Sequence, residues 1–82
     1  MKSARTLKDI GLLIRFHRKK KGLSQKELAE LCDLSQVAIS KLESGSGSSL
    51  DTLLLAMRAL QVELTLAPIR GIDTANLLGL LE

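Results

Sequence analysis

Between Leu23 and Gly45 the apolar positions fall twice into the spacing of a short amphipathic helix. Leu28, Ala29 and Leu31 share a face of the first run, and Ala38, Ile39 and Leu42 share a face of the second. Each run carries its own start signal. Ser24 with Glu27 three residues on has the pattern of a capping box, and Ser35 caps the second run, which begins Gln36-Val37. Asp33-Leu34-Ser35 forms the turn between them. Helices this short are unstable alone and gain stability only as a packed pair.

The same pattern extends on both sides. Thr6 followed by Asp9 caps a first helix that runs to about Lys21, with Ile10, Leu13, Ile14 and His17 on one face and Gly22 as its stop. The paired helices cover about 25–32 and 36–43. A Gly/Ser stretch, Ser44-Gly45-Ser46-Gly47-Ser48, follows. Ser49 then caps a fourth helix, about 50–60, whose inner stripe is Leu50, Leu53, Leu54, Met57 and Leu60, with Leu55 pointing elsewhere. After Gln61 the period shortens. Val62, Leu64 and Leu66 alternate with Glu63, Thr65 and Ala67, which predicts a strand stopped by Pro68. A lone strand has unpaired backbone groups, and a second copy of the chain is its natural partner. The fold class expected is all-α, with four to five helices and a short C-terminal strand pairing across a dimer. The chain divides into a basic arm and helix start (1–9), a helix-turn-helix body (10–61), the dimerisation strand (62–67) and an apolar tail (68–82). Ile72, Leu77, Leu78, Leu80 and Leu81 make that tail too apolar to stay solvated, and Asp73 is a candidate cap within it.

Composition narrows the function classes. At 82 residues the chain is one domain with a marginal core, and with Phe16 its only aromatic that core must be aliphatic. One cysteine makes no internal disulfide, which fits a reducing cytoplasm. No secretory signal or bilayer-length apolar run is legible, so no membrane association is expected. The net charge of +3 hides a polarity: residues 1–26 hold nine basic groups against Asp9 alone, a net of +8, and residues 27–82 carry −5. Such a molecule favours a polyanion on one side.

Outside its core face the helix at 36–43 presents Gln36, Val37, Ser40 and Lys41. An amide bonds adenine bidentately, a valine methyl meets a thymine methyl, and a lysine reaches a guanine or a phosphate, so these four are the candidate base readers. Candidate phosphate contacts are Ser24, Gln25, Lys20, Lys21 and Ser35, with Ser44, Gly45 and Ser46 offering amides and hydroxyls after the recognition helix. Solvated surface residues are the plain alternative for Gln25, Val37, Lys41 and the Gly/Ser loop. Lys20 and Lys21 also suit a helix C-terminus. His17 reads as a half-buried helix residue and Cys32 as packing. No catalytic constellation, cofactor motif or metal-ligand spacing is present, and an enzyme is the least favoured class.

From Ile10 to Gln61 the chain resembles the XRE/Cro-type, lambda-repressor-like helix-turn-helix family. The resemblance is carried by Arg18 four before Gly22, Leu23-Ser24-Gln25, Leu28-Ala29, Ser35-Gln36, Ile39-Ser40, Leu42-Glu43, Gly45, and Ser49-Leu50-Asp51-Thr52-Leu53. It implies that Arg18 and Glu43 pair beneath the recognition helix, and that Gln25 braces Gln36 while touching a phosphate. Asp33 stands where members usually carry Gly, and His17 where they usually carry a hydrophobic residue. Residues 39–66 further resemble HipB-like antitoxins, in which the fourth helix runs directly into a short strand that pairs across the dimer, so Val62, Leu64 and Leu66 are the candidate dimer-strand residues here.

These features together predict a homodimeric, sequence-specific repressor that binds a double-stranded DNA operator. The second resemblance implies an antitoxin that binds a HipA-like kinase toxin and represses their shared operon. Two other readings stand beside it: a repressor with no toxin, and a protein-interaction module that does not touch DNA.

Overall fold

The computed structural model describes residues 3–68. The expected tail from Ile69 to Glu82 lies outside the described residues. Four helices make up the body: α1 (Leu7–Lys20), α2 (Gln25–Cys32), α3 (Gln36–Ser44) and α4 (Leu50–Leu60). Each starts where its cap stands. The side-chain oxygens of Thr6, Ser24, Ser35 and Ser49 accept from the backbone N–H of Asp9, Glu27, Ala38 and Thr52 respectively. At α2 the box is complete, because Ser24 N also donates to Glu27 Oε1 at 2.8 Å. α1 begins at Leu7, directly after its Thr6 cap and within the helix start expected for residues 1–9.

The ends follow chain chemistry too. Asp33 takes the left-handed conformation, φ 57°, at the place where the family resemblance leads one to expect Gly, and Gln61 does the same at φ 59° after α4. Gly45 ends α3 at φ 77°. A side chain there would be strained, and a Cβ would also stand 2.7 Å from Lys8 Cα. Gly11 marks the matching contact on α1: a Cβ would lie 2.4 Å from Glu43 O and 2.6 Å from Leu42 O. These two positions let the backbones of α1 and α3 touch.

The core is Ile14, Leu28, Ala29, Cys32, Ile39, Leu42, Ala56, Met57 and Leu60, with Ile10, Leu23, Leu34, Leu53, Ala59 and Val62 packed against it. It is aliphatic, and Phe16 is 58% exposed. Three expected core positions are corrected. Leu31 is 63% exposed, because α2 turns Leu28, Ala29 and Cys32 inward and Leu31 falls about 100° from the centre of that arc. Leu50 and Leu54 are 63% and 44% exposed, because the inner face of α4 is Leu53, Ala56, Met57 and Leu60. Leu55 does point elsewhere, being 40% exposed.

No strand forms among the described residues. Val62 N donates to Met57 O at 3.0 Å and so finishes the C-terminus of α4 rather than opening a ladder. Val62 is half-buried, while Leu64 and Leu66 are 55% and 89% exposed.

Candidate DNA interface

On α3 the buried residues Ile39, Leu42 and Glu43 fix the inward face. Gln36, Val37, Ser40, Lys41 and Ser44 are all exposed. Gln36, Ser40 and Ser44 recur every four residues and form one edge of that surface, and Val37 and Lys41 form the other. The four expected base readers therefore share a single outward face at the N-terminal end and middle of α3.

Beneath this face lies a buried ion pair. Arg18 Nε donates to Glu43 Oε2 at 2.5 Å and Arg18 NH2 to Glu43 Oε1 at 2.9 Å, with the side chains 9% and 4% exposed. Arg18 NH1 donates to Leu23 O at 2.8 Å, which ties the end of α1 to the start of α2. The hydrogen bonds it donates to Glu43 hold the guanidinium above its ordinary pKa against the opposing effect of burial. The end of α1 and the segment before α2 are thus tied to the base of α3 by one side chain.

Gln25 differs from expectation. Its Nε2 donates to Glu43 Oε1 at 3.2 Å, so it braces the ion pair, not Gln36. The expected amide donors of the Gly/Ser loop also need correction. Gly45 N donates to Leu42 O and Ser46 N to Lys41 O, so both amides serve the C-terminus of α3. Ser44 Oγ donates to Lys41 O at 3.1 Å and lies 2.6 Å from Ser46 Oγ. These hydroxyls are exposed, whereas the two amides are taken up within the end of α3. Ser24 and Ser35 hold their own helices through their hydroxyl oxygens. The Ser24 N–H and hydroxyl together hold the Glu27 carboxyl below its usual pKa.

Lys21 points toward α4 in this structure. Its Nζ donates to Gln61 Oε1 at 3.0 Å, at the end of α4, and it continues the Leu13–His17 row of α1 that faces α4. Lys20 is exposed. The basic residue that does border α3 is Arg15, which shares a groove with Arg18, Gln25, Ser40, Glu43 and Ser44. Its place one turn before Arg18 was the available signal. Gly11 was missed because nothing in its neighbourhood marks a close approach. Cys32 is buried, and its Sγ lies 3.7 Å from Leu55 O. Burial pushes this thiol upward in pKa.

Two capped helices joined at a left-handed turn, the second clamped from below and polar outside, define a helix-turn-helix DNA-reading domain. Comparison with known proteins agrees. The helix-turn-helix family matches residues 14–66, more than half of the chain. The restriction-modification controller protein C.AhdI from Aeromonas hydrophila is 36% identical, with a TM-score of 0.65, over 70% of this chain and 88% of that one. The clp gene regulator ClgR from C. glutamicum is 29% identical, with a TM-score of 0.65, over 74% and 80%. A chain of a HipA-HipB-O2-O3 complex superposes with a TM-score of 0.77 over 85% of this chain and all of that one, at 21% identity, a likeness of fold. A search of curated proteins returned no match. The chain belongs to the helix-turn-helix family, of the XRE type, and is a DNA-binding regulator of that kind.

Proposed function

We propose that this protein is a sequence-specific transcriptional repressor that binds its operator as a homodimer, with α3 of each protomer in a major groove. The observation that carries this reading is the exposed row of Gln36, Val37, Ser40 and Lys41 on a helix whose inner face is fixed by the Arg18–Glu43 clamp. Gln36 is assigned to a base edge and the hydroxyls of Ser24, Ser35, Ser44 and Ser46 to backbone phosphates, with Gln25 and Lys20 beside them. Gln36→Ala tests it. Loss of about 1–3 kcal/mol on the operator and little on random duplex is expected. Equal losses on both remove Gln36 from base reading.

The dimer is supported by what the single chain leaves uncovered. Leu54, Leu55 and Leu64 border an open groove of about 600 Å³ along α4 with Met57 and Val62 at its floor, and Leu66 follows. Pairing of residues 63–67 with the same residues of a second protomer satisfies their backbone groups and covers these leucines. Val62, in this arrangement, packs on its own core while Leu64 and Leu66 reach the partner.

Within this function, two readings have support. HipB occurs in complexes with HipA and with an O4 20mer, and its fold matches this chain beyond α4, which favours an antitoxin with a HipA-like kinase partner. The higher identity to C.AhdI favours a controller without a toxin. Co-purification with the product of the adjacent gene separates them: a stable complex with a kinase-like protein supports the first, and a free dimer beside a non-kinase neighbour supports the second.

A further inference from the structure

α1 and α3 leave between them an open groove of about 270 Å³, lined by Arg15, Arg18, Gln25, Ser40, Glu43 and Ser44. Its charges do not balance. Arg18 and Glu43 cancel in their two-pronged pair, and Gln25 occupies the same carboxylate. Arg15 remains exposed, with no ion-pair partner among the described residues. The Ser44 hydroxyl proton is given to Lys41 O, whereas the Ser40 hydroxyl has no hydrogen-bond partner among the described residues. The groove therefore presents an uncompensated guanidinium and a free hydroxyl, and its one carboxylate is already saturated. That is a donor set for an anion.

Its position names the anion. Ser40 lies four residues beyond Gln36 on one edge of α3, a rise of about 6 Å. The major groove is about 12 Å wide, so a group about half that width from the base-reading end of α3 reaches the flanking backbone. We propose that Arg15, assisted by Ser40, holds a backbone phosphate of duplex DNA at the edge of the groove that α3 enters. This assignment rests on the DNA-reading function proposed above. It moves the phosphate anchor of α1 from Lys21, which faces α4, to Arg15.

The test needs no knowledge of the operator. Binding of the full chain to a random-sequence 20-bp duplex is measured across a salt series for the wild type, Arg15→Ala, Arg15→Gln and Arg15→Lys. The slope of log affinity against log salt should fall by about one for the alanine and glutamine variants. It should hold for the lysine variant, which keeps the charge. Melting temperatures should not move, because Arg15 is exposed. A wild-type slope that Arg15→Ala and Arg15→Gln leave unchanged overturns the phosphate assignment alone. A wild type that shows no salt-dependent duplex binding overturns the DNA-reading function and this inference together.

Discussion

Arg18 and Glu43 sit 25 residues apart and hold the recognition helix from beneath, both nearly out of water. Breaking such a pair strands a buried charge, whereas replacing both partners with apolar side chains does not. Arg18→Ala should therefore cost about 3 kcal/mol, and the double change Arg18→Met with Glu43→Leu should recover most of it. Thermal melts of the two singles and the double measure this; an unmoved melting temperature for Arg18→Ala would place the pair outside the stability of the fold. The raised guanidinium pKa contributes stability that is present below the ordinary arginine value and lost only above it, so the clamp does not switch across neutral pH. Glu27 has the opposite sign. Its lowered pKa contributes stability that is present above the usual carboxylate range and lost as pH falls through and below that range. Glu27→Gln should melt with a shallower acid limb than the wild type, and an identical limb would deny the box a share in acid unfolding. At Cys32, burial and a raised pKa predict that a thiol reagent at neutral pH reacts only as the chain unfolds.

At the scale of elements, the starts of all four helices were legible because a Ser or Thr oxygen beside an apolar period has a single local meaning. Which face turns inward was less so. Leu31, Leu50 and Leu54 fit a helical spacing as well as the residues that displaced them, and only the packing of α2 between α3 and α4 decides among them. The site shows the same division. The outward row of α3 follows from period alone, but the bonds of Gln25 to Glu43 and Lys21 to Gln61 cross 18 and 40 residues and have no local signal. Gly11 is the sharpest case. Gly11→Ala would drive a Cβ into the carbonyls of Leu42 and Glu43, with no flexible end to give way, and should destabilise by about 3 kcal/mol while weakening DNA binding through a displaced α3. Asp33→Gly should do the reverse, raising stability by up to about 1 kcal/mol through relief of the left-handed strain at the turn. Denaturant midpoints of both variants test the pair of expectations, and a neutral Gly11→Ala would mean that α1 and α3 do not touch here.

For the whole molecule, the charge polarity and the uncovered leucines belong to one arrangement. In the proposed dimer on DNA, the basic N-terminal third is turned to the polyanion and the apolar rim of α4 and residues 63–67 to the second copy. Leu64→Pro removes a backbone donor and should yield a monomer whose DNA affinity falls far more than any single lysine change produces, because two linked half-sites bind as one. Sedimentation of that variant is decisive for the strand: a folded dimer of native affinity moves the interface elsewhere. The central claim is that two copies of α3 read one duplex in two-fold register. Selection of bound duplexes from a randomised pool by the wild-type protein tests it most directly. An inverted repeat is expected, with half-site centres about one helical turn, roughly 10 bp, apart, its preferences relaxed at one symmetric position by Gln36→Ala. A pool that enriches no sequence, or a single unrepeated half-site, would contradict it.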